Sequence, residues 1–249
     1  MQNSPQPHLE VLRLEARQLI RRLVSLAEHR LRRGLALQFL NDGSAANCVQ
    51  VWRHLERADQ NADALVARLA IIEVLNREEI SYERIADLYL EAKEAGYLSL
   101  CFLLRSRPAV TEASTRRPKD EAPLGQRISA ARITPSQEIH RVLHDPDPKV
   151  IASLLTNPQI TEADVVRIAA RQPTTGEAQL ELLCSEKWLK RYAIRRAVAL
   201  NPCTPIDLSL RLLGFLRATD LRFVCTSPSL PLALREAAQY LLDEENDGP

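Results

Sequence analysis

Residues 194–213 read Ile194-Arg195-Arg196-Ala197-Val198-Ala199-Leu200-Asn201-Pro202-Cys203-Thr204-Pro205-Ile206-Asp207-Leu208-Ser209-Leu210-Arg211-Leu212-Leu213, and the Asn-Pro step at their centre decides the fold. Proline at 202 has no amide donor and disfavours the helical region for Asn201, so the apolar helix before it stops there. Thr204 then offers a hydroxyl cap and Pro205 a preset first-turn φ, which starts another helix almost at once. The unit is a helix, a tight corner and a second helix. The corner recurs: Leu154-Leu155-Thr156-Asn157-Pro158-Gln159-Ile160 aligns with Val198 to Thr204, and Val224-Cys225-Thr226-Ser227-Pro228-Ser229-Leu230 aligns with it again. A further helix break, Gln172-Pro173-Thr174-Thr175, lies between the first two corners. Short helices at such intervals cannot each bury an apolar face alone, so they stack. The sequence therefore predicts an all-α chain whose C-terminal half is a short α-solenoid.

Composition agrees with that fold class. The chain has 249 residues and 45% hydrophobic content, enough for one large helical body or two small domains with a core each. Only seven glycines occur, and strict apolar–polar alternation is hard to find, which argues against sheets. A net charge of +1 gives no global bias towards nucleic acid or acidic membrane, so any electrostatic steering is local. The five cysteines, Cys48, Cys101, Cys184, Cys203 and Cys225, form no CxxC pair and no tight cluster, so they read as core thiols rather than metal ligands. Their odd number, with no secretory segment near Met1, favours a reducing compartment. Arginines interrupt every long apolar run, so no membrane span is expected and the expected location is cytoplasmic.

The N-terminal half reads as a series of helices. Met1 to Gln6 is a polar tail, and from His8 to Arg33 the residues Leu9, Leu12, Ala16, Leu19, Leu23 and Leu26 form one helical seam that Gly34 is expected to end. That seam is too short for an autonomous coiled coil, so the helix is expected to lie on its own domain rather than to dimerise. Its many arginines also fit a membrane-surface helix, but a solvated face is the simpler reading. Ser44 caps a helix to about Arg57, with Trp52 and Leu55 facing inward. Asn61 or Asp63 opens a helix through Leu75, Ser81 opens one through Ala95 closed by Gly96, and Leu98 to Leu104 is a short last helix. Residues from Pro108 to Pro123 carry prolines and charges of both signs with no apolar period, the signature of a linker. The expected organisation is an N-terminal helical domain over 1–106, a linker over 107–123, an α-solenoid over 124–242 and an acidic tail over 243–249. Within the solenoid, residues 188–200 are expected to form one helix, and 232–242 the last.

The run Ile194 to Pro205 resembles the repeat of leucine-rich repeat variant proteins, whose unit is similar to VR-x-AVA-x-NP-x-TP. Asp147 to Ile160 and Asp220 to Pro231 resemble it more loosely, so the likeness covers roughly 145–242. It implies a right-handed stack of short helices related to HEAT repeats. The family's founding type also carries a cysteine cluster for an iron–sulfur centre; no such cluster is present here, and no cofactor is expected.

Three constellations invite a chemical reading. His140 and His144 stand four apart on one helical face, followed by Asp145 and Asp147, but Arg141 occupies the place where a catalytic zinc helix carries glutamate, so no metal is expected. The basic run Lys187, Lys190, Arg191 and Arg195 shares one face of a helix at about 100° per residue, with Trp188 and Tyr192 beside it, although the two rings also share the arc of Leu189, Ala193, Ala199 and Leu200 that reads as core. A protein-binding or solvated face is the preferred reading, and stacking of the two rings on nucleic-acid bases is the alternative. By the same rotation Arg196 falls in the core arc, where it needs a carboxylate or helix-end carbonyls; Asp164, Asp207 and Glu236 are the candidates. Asn157, Pro158, Asn201, Pro202, Pro205 and Pro228 carry the corners. No nucleophile elbow, phosphate loop or dinucleotide fingerprint occurs, so no catalytic residue is assigned. The expected function is a non-enzymatic scaffold or adaptor with a protein partner. The alternative is a HEAT-like repeat protein that binds nucleic acid through the basic face around 187–196.

Overall fold

The computed structural model describes residues 7–58, 61–77, 79–104 and 122–246, with side chains described from 14 to 244 of these. The described residues form sixteen helices and no strand. The chain divides into two compact units, Met1–Arg105 and Ser106–Pro249. The expected linker lies outside the described residues as far as 121.

The first unit contains α1 (Pro7–Ser25), α2 (His29–Asp42), α3 (Ala45–Arg57), α4 (Ala62–Asn76), α5 (Tyr82–Glu94) and α6 (Leu98–Leu104). Its centre is α4, buried from Ala67 through Asn76 and packed by α1, α2 and α3. Each of its helix starts read from a polar cap is capped in that way. Ser44 Oγ accepts from the Asn47 N–H at 3.2 Å, Asn61 Oδ1 from Asp63 at 2.8 Å and Ser81 Oγ from Arg84 at 3.3 Å. Gly96, at φ +74°, ends α5 as expected, with its N–H on Lys93 O and that of Tyr97 on Ala92 O. Trp52 and Leu55 are buried.

The long first helix is different. It breaks at Leu26–Glu28, and α2 then runs straight through Gly34. The cause is a side chain from the far side of the break. Arg32 donates Nε to Leu23 O at 3.0 Å and Nη2 to Leu26 O at 2.5 Å, satisfying the carbonyls that end α1. Arg84 does the same for α2, with Nε on Leu40 O at 2.7 Å and Nη2 on Gly43 O. Arg32, one of the arginines that read as a solvated face, is thus a helix-end donor. Buried Glu73 on α4 meets three side chains from α2 and its own C-terminus: His29 Nε2 at 2.7 Å, Arg77 Nε at 2.9 Å and Arg33 Nη1 at 3.7 Å.

The second unit contains α7 (Leu124–Ile133), α8 (Ile139–Val142), α9 (Pro148–Leu155), α10 (Glu162–Ala170), α11 (Gly176–Leu183), α12 (Glu186–Leu189), α13 (Tyr192–Ala199), α14 (Ile206–Leu213), α15 (Ala218–Thr226) and α16 (Leu232–Asn246). Neighbouring helices pack in a solenoid-like succession: α7 on α9, α9 on α11, α10 on α13, α13 on α14, α14 on α16 and α15 on α16. Their facing side chains, among them Leu154, Leu182, Ile194, Val198, Leu208 and Leu212, are fully buried. At roughly 1.5–3 kcal/mol for each large apolar side chain removed from water, this seam supplies most of the favourable energy of the stack. The last helix continues through Asp243 and Glu244 to Asn246 instead of stopping at Leu242, and 247–249 lie outside the described residues. Leu241 and Leu242 anchor it, and Gln239 Nε2 donates to Asp243 Oδ1 one turn on at 2.9 Å.

Candidate interaction surface

The three Asn-Pro or Ser-Pro steps stand where helices stop: α9 ends at Leu155 before Asn157-Pro158, α13 at Ala199 before Asn201-Pro202, and α15 at Thr226 before Ser227-Pro228. The two asparagines make one constellation twice. Asn157 Nδ2 donates to Ala131 O and Thr134 O, both at 2.9 Å, and its Oδ1 accepts from the Gln159 N–H at 2.8 Å. Asn201 Nδ2 donates to Ala169 O and Arg171 O, both at 2.8 Å, and its Oδ1 accepts from the Cys203 N–H at 2.9 Å. Each buried amide therefore ties its own corner to the C-terminal carbonyls of an earlier helix, α7 or α10. The residues after the Asn201-Pro202 corner are arranged less as expected. Thr204 is buried with its hydroxyl on Val198 O at 2.8 Å, and Pro205 is the residue before α14 rather than its first. Thr204 does not cap that helix because its hydroxyl closes the preceding one.

The basic face was read on a single helix over 188–200, and the chain does not form one. It makes α12, a break at Lys190-Arg191, and then α13, so rotation at a constant angle does not carry across 187–195. Trp188 turns inward, its indole N–H donating to Leu155 O at 2.9 Å across to α9. Arg195 is buried and donates Nη1 to Leu189 O at 2.7 Å, closing α12. Arg196, expected in the core, is exposed and pairs through Nε with Asp220 Oδ1 at 2.7 Å, a partner outside the three expected. The two adjacent arginines have exchanged roles because α13 starts afresh at Tyr192. Lys187 is exposed above the Trp188 ring, 4.2 Å from its centroid, Lys190 pairs with Glu186, and Arg191 faces Glu162 at 3.7 Å.

Tyr192 is the hub of what does come together. Its hydroxyl donates to Asp220 Oδ2 and accepts the Arg217 N–H at 3.1 Å, while the Arg217 and Arg195 guanidinium carbons lie 4.5 Å and 5.8 Å from its ring centroid. Burial, reinforced by Asp220, pushes the phenol above its ordinary value of 10.0. Burial alone would raise Asp220 as well. Hydrogen bonds from Tyr192 and Arg196 and the charges of Arg196 and Arg217 outweigh it, holding the carboxyl below its usual 3.8. Arg217 and Asp220, which follow the basic run in the sequence, meet Tyr192 in the fold, and the repeat alignment that sets Arg217-Ala218 opposite Arg191-Tyr192 is the sequence signal for it.

The histidine constellation disperses. Helix α8 ends at Val142, before His144, and His140 is exposed with Nδ1 2.9 Å from Gln137 O. Asp145 takes Arg127 Nη1 on both oxygens at 2.7 Å, and Asp147 caps α9 through the Lys149 N–H at 3.0 Å. Among the described residues no group of three His, Cys, Asp or Glu side chains is placed to hold a metal ion. Nor is any helix among them long and apolar enough to cross a membrane. In the first unit a small apolar cavity of about 20 Å³, lined by Phe39, Trp52, Ile71, Leu88 and Leu103 among others, has room for roughly one water molecule and not for an organic ligand. Compared with known protein families, with curated proteins and with solved structures, the chain gives no match.

Proposed function

We propose that this chain is a non-enzymatic adaptor: the C-terminal helical repeats, of the leucine-rich repeat variant or HEAT-like kind, present a fixed charged surface to a protein partner. The N-terminal unit serves as a second docking or assembly body, and the protein works in the reducing cytoplasm. One observation carries the reading. The polar groups of the second unit with chemical potential, Asn157, Asn201, Asp145, Tyr192 and Asp220, are engaged in bonds that tie one helix layer to another, while the cations above them remain at the surface. Such a stack spends its polar chemistry on holding shape, which is what a repeat protein that displays side chains at set distances requires. Nucleic acid is the weaker occupant, because Trp188 is buried and Arg217 covers the Tyr192 ring, leaving neither of that face's aromatics for a base.

Cross-linking and affinity capture with the full chain tests this reading. The expected result is a protein retained in stoichiometric amount, with nuclease treatment of the extract making no difference. Recovery of nucleic acid in its place, or a retained protein that nuclease releases, overturns the adaptor reading.

A further inference from the structure

Resting on the adaptor reading, we propose that the edge of the second unit where α13 and α15 begin is its docking site, and that its ligand is an acidic peptide segment carrying several Asp or Glu side chains.

The contacts of Tyr192 place this edge. Arg191 precedes Tyr192 in the chain, Arg217 donates its backbone N–H to the Tyr192 hydroxyl, and Arg196 shares Asp220 with that hydroxyl. Lys190 adjoins Arg191. Arg196 and Arg217 thus meet the Tyr192–Asp220 pair directly, Lys190 and Arg191 lead into it along the chain, and all four are exposed.

Two of their counter-charges lie deeper than they do. The Asp220 side chain is 15% exposed against 45% for Arg196, and Glu186 is 18% exposed against 38% for Lys190. Both oxygens of Asp220 are occupied, one by Arg196 and one by Tyr192. Arg217 lies on the Tyr192 ring, a contact that consumes none of its N–H donors. Asp220 and Glu186 thus hold Arg196 and Lys190 in place from below, Glu162 stands at the surface beside Arg191, and the edge offers guanidinium and ammonium donors outward. Carboxylate oxygens match those donors, and arginine forms with them the strongest of the ordinary charge-assisted hydrogen bonds.

The same layering favours a peptide over a nucleic-acid strand. Glu162 is exposed beside Arg191, and Glu186 and Asp220 are interleaved among the cations. A polyphosphate chain, charged at every unit, must pass these carboxylates, whereas a peptide can set acidic side chains over the cations and neutral ones between them. Trp188 is buried and Arg217 covers the Tyr192 ring, so neither compensates a strand by stacking, and Phe223, farther along α15, is a single exposed ring.

The test is fluorescence anisotropy with the full chain. The probe is a labelled synthetic peptide of about a dozen residues alternating Glu and Ser, compared with its Gln–Ser counterpart and a single-stranded oligonucleotide of equal charge. The acidic peptide is expected to bind at about micromolar Kd and to weaken several-fold as salt rises from roughly 0.05 to 0.2 M. Arg191→Glu/Arg217→Glu should abolish binding, and Arg191→Gln/Arg217→Gln, which brings no new charge against Asp220, should weaken it about tenfold or more. Arg132→Glu/Arg141→Glu, at exposed sites on and near α7 and α8, should leave it unchanged; circular dichroism melts check that every variant is folded. Equal binding of the acidic and Gln–Ser peptides, equal losses in edge and control variants, or tighter binding of the oligonucleotide at this edge would each overturn the proposal. If the acidic peptide does not bind but a captured protein partner is still held by Arg191→Glu/Arg217→Glu, this edge is wrong and the adaptor reading stands.

Discussion

Replacing Asn201 with alanine removes three hydrogen bonds, two that tie the central corner to the end of α10 and one within the corner. Their loss is unequal. Ala169 O keeps a second donor, Gln179 Nε2 at 3.0 Å, so the groups left bare are Arg171 O and the Cys203 N–H. Each lies at a residue that water partly reaches, which caps the penalty. With about 1 kcal/mol net for each neutral hydrogen bond and about 1–3 kcal/mol for a buried group left without a partner, the loss is about 2–4 kcal/mol. That is a large part of the roughly 5–15 kcal/mol that holds a typical domain folded. Asn201→Asp discriminates further: it keeps the oxygen that Cys203 needs and turns a second oxygen onto two carbonyls, so it should cost at least as much as alanine. The chain has two tryptophans, Trp52 in the first unit and Trp188 in the second, so urea unfolding in a Trp52→Phe background reports the second unit through buried Trp188. A loss below about 0.5 kcal/mol for Asn201→Ala, or unchanged stability of Asn201→Asp, would show that the corner amides do not clamp the layers.

The same physical reasoning yields three further expectations. The folded-state carboxyl of Asp220 is depressed, so its contribution is complete above the ordinary aspartate value of 3.8 and vanishes as pH falls through the depressed one. Urea midpoints followed from neutral to acid pH should show that limb in the parent and lose part of it in Asp220→Asn; an unaltered profile refutes the assignment. Glu73→Gln withdraws the carboxylate shared by His29, Arg33 and Arg77, and should cost the first unit about 1–3 kcal/mol, less than a fully dry ion pair because its partners are partly solvated. Hydrogen exchange localised to α2 and α4 measures it. Two glycines should respond with opposite signs although an added Cβ meets nothing within 4 Å at either: Gly96→Ala is destabilising by about 1–2 kcal/mol because φ is +74°, whereas Gly34→Ala inside α2 gains about 0.5–1 kcal/mol of helix propensity. Thermal melts of the two variants decide the signs.

Helix content and the positions of most helix ends followed from the sequence by itself, because they depend on groups within a few residues of one another. Ser44, Asn61, Ser81 and Thr161 cap the helix that follows them, Gly96 alone in its turn needs a positive φ, and each proline removes a donor at a known place. The all-α class and the stacking of short helices rest on the same local terms, since no other pairing buries their apolar faces. What only the tertiary structure decided are the ends closed by side chains from elsewhere. Arg32 ends α1 where the apolar seam continues, and the break at Lys190-Arg191 interrupts a segment of unbroken helical period. That break exchanged Arg195 with Arg196, for a single residue turns a helix by about 100° and an interruption resets every later position. The edge around Tyr192 belongs to this second kind: Asp220 lies 28 residues from it in the chain, and only the fold brings its carboxylate to the Tyr192 hydroxyl and the Arg196 guanidinium.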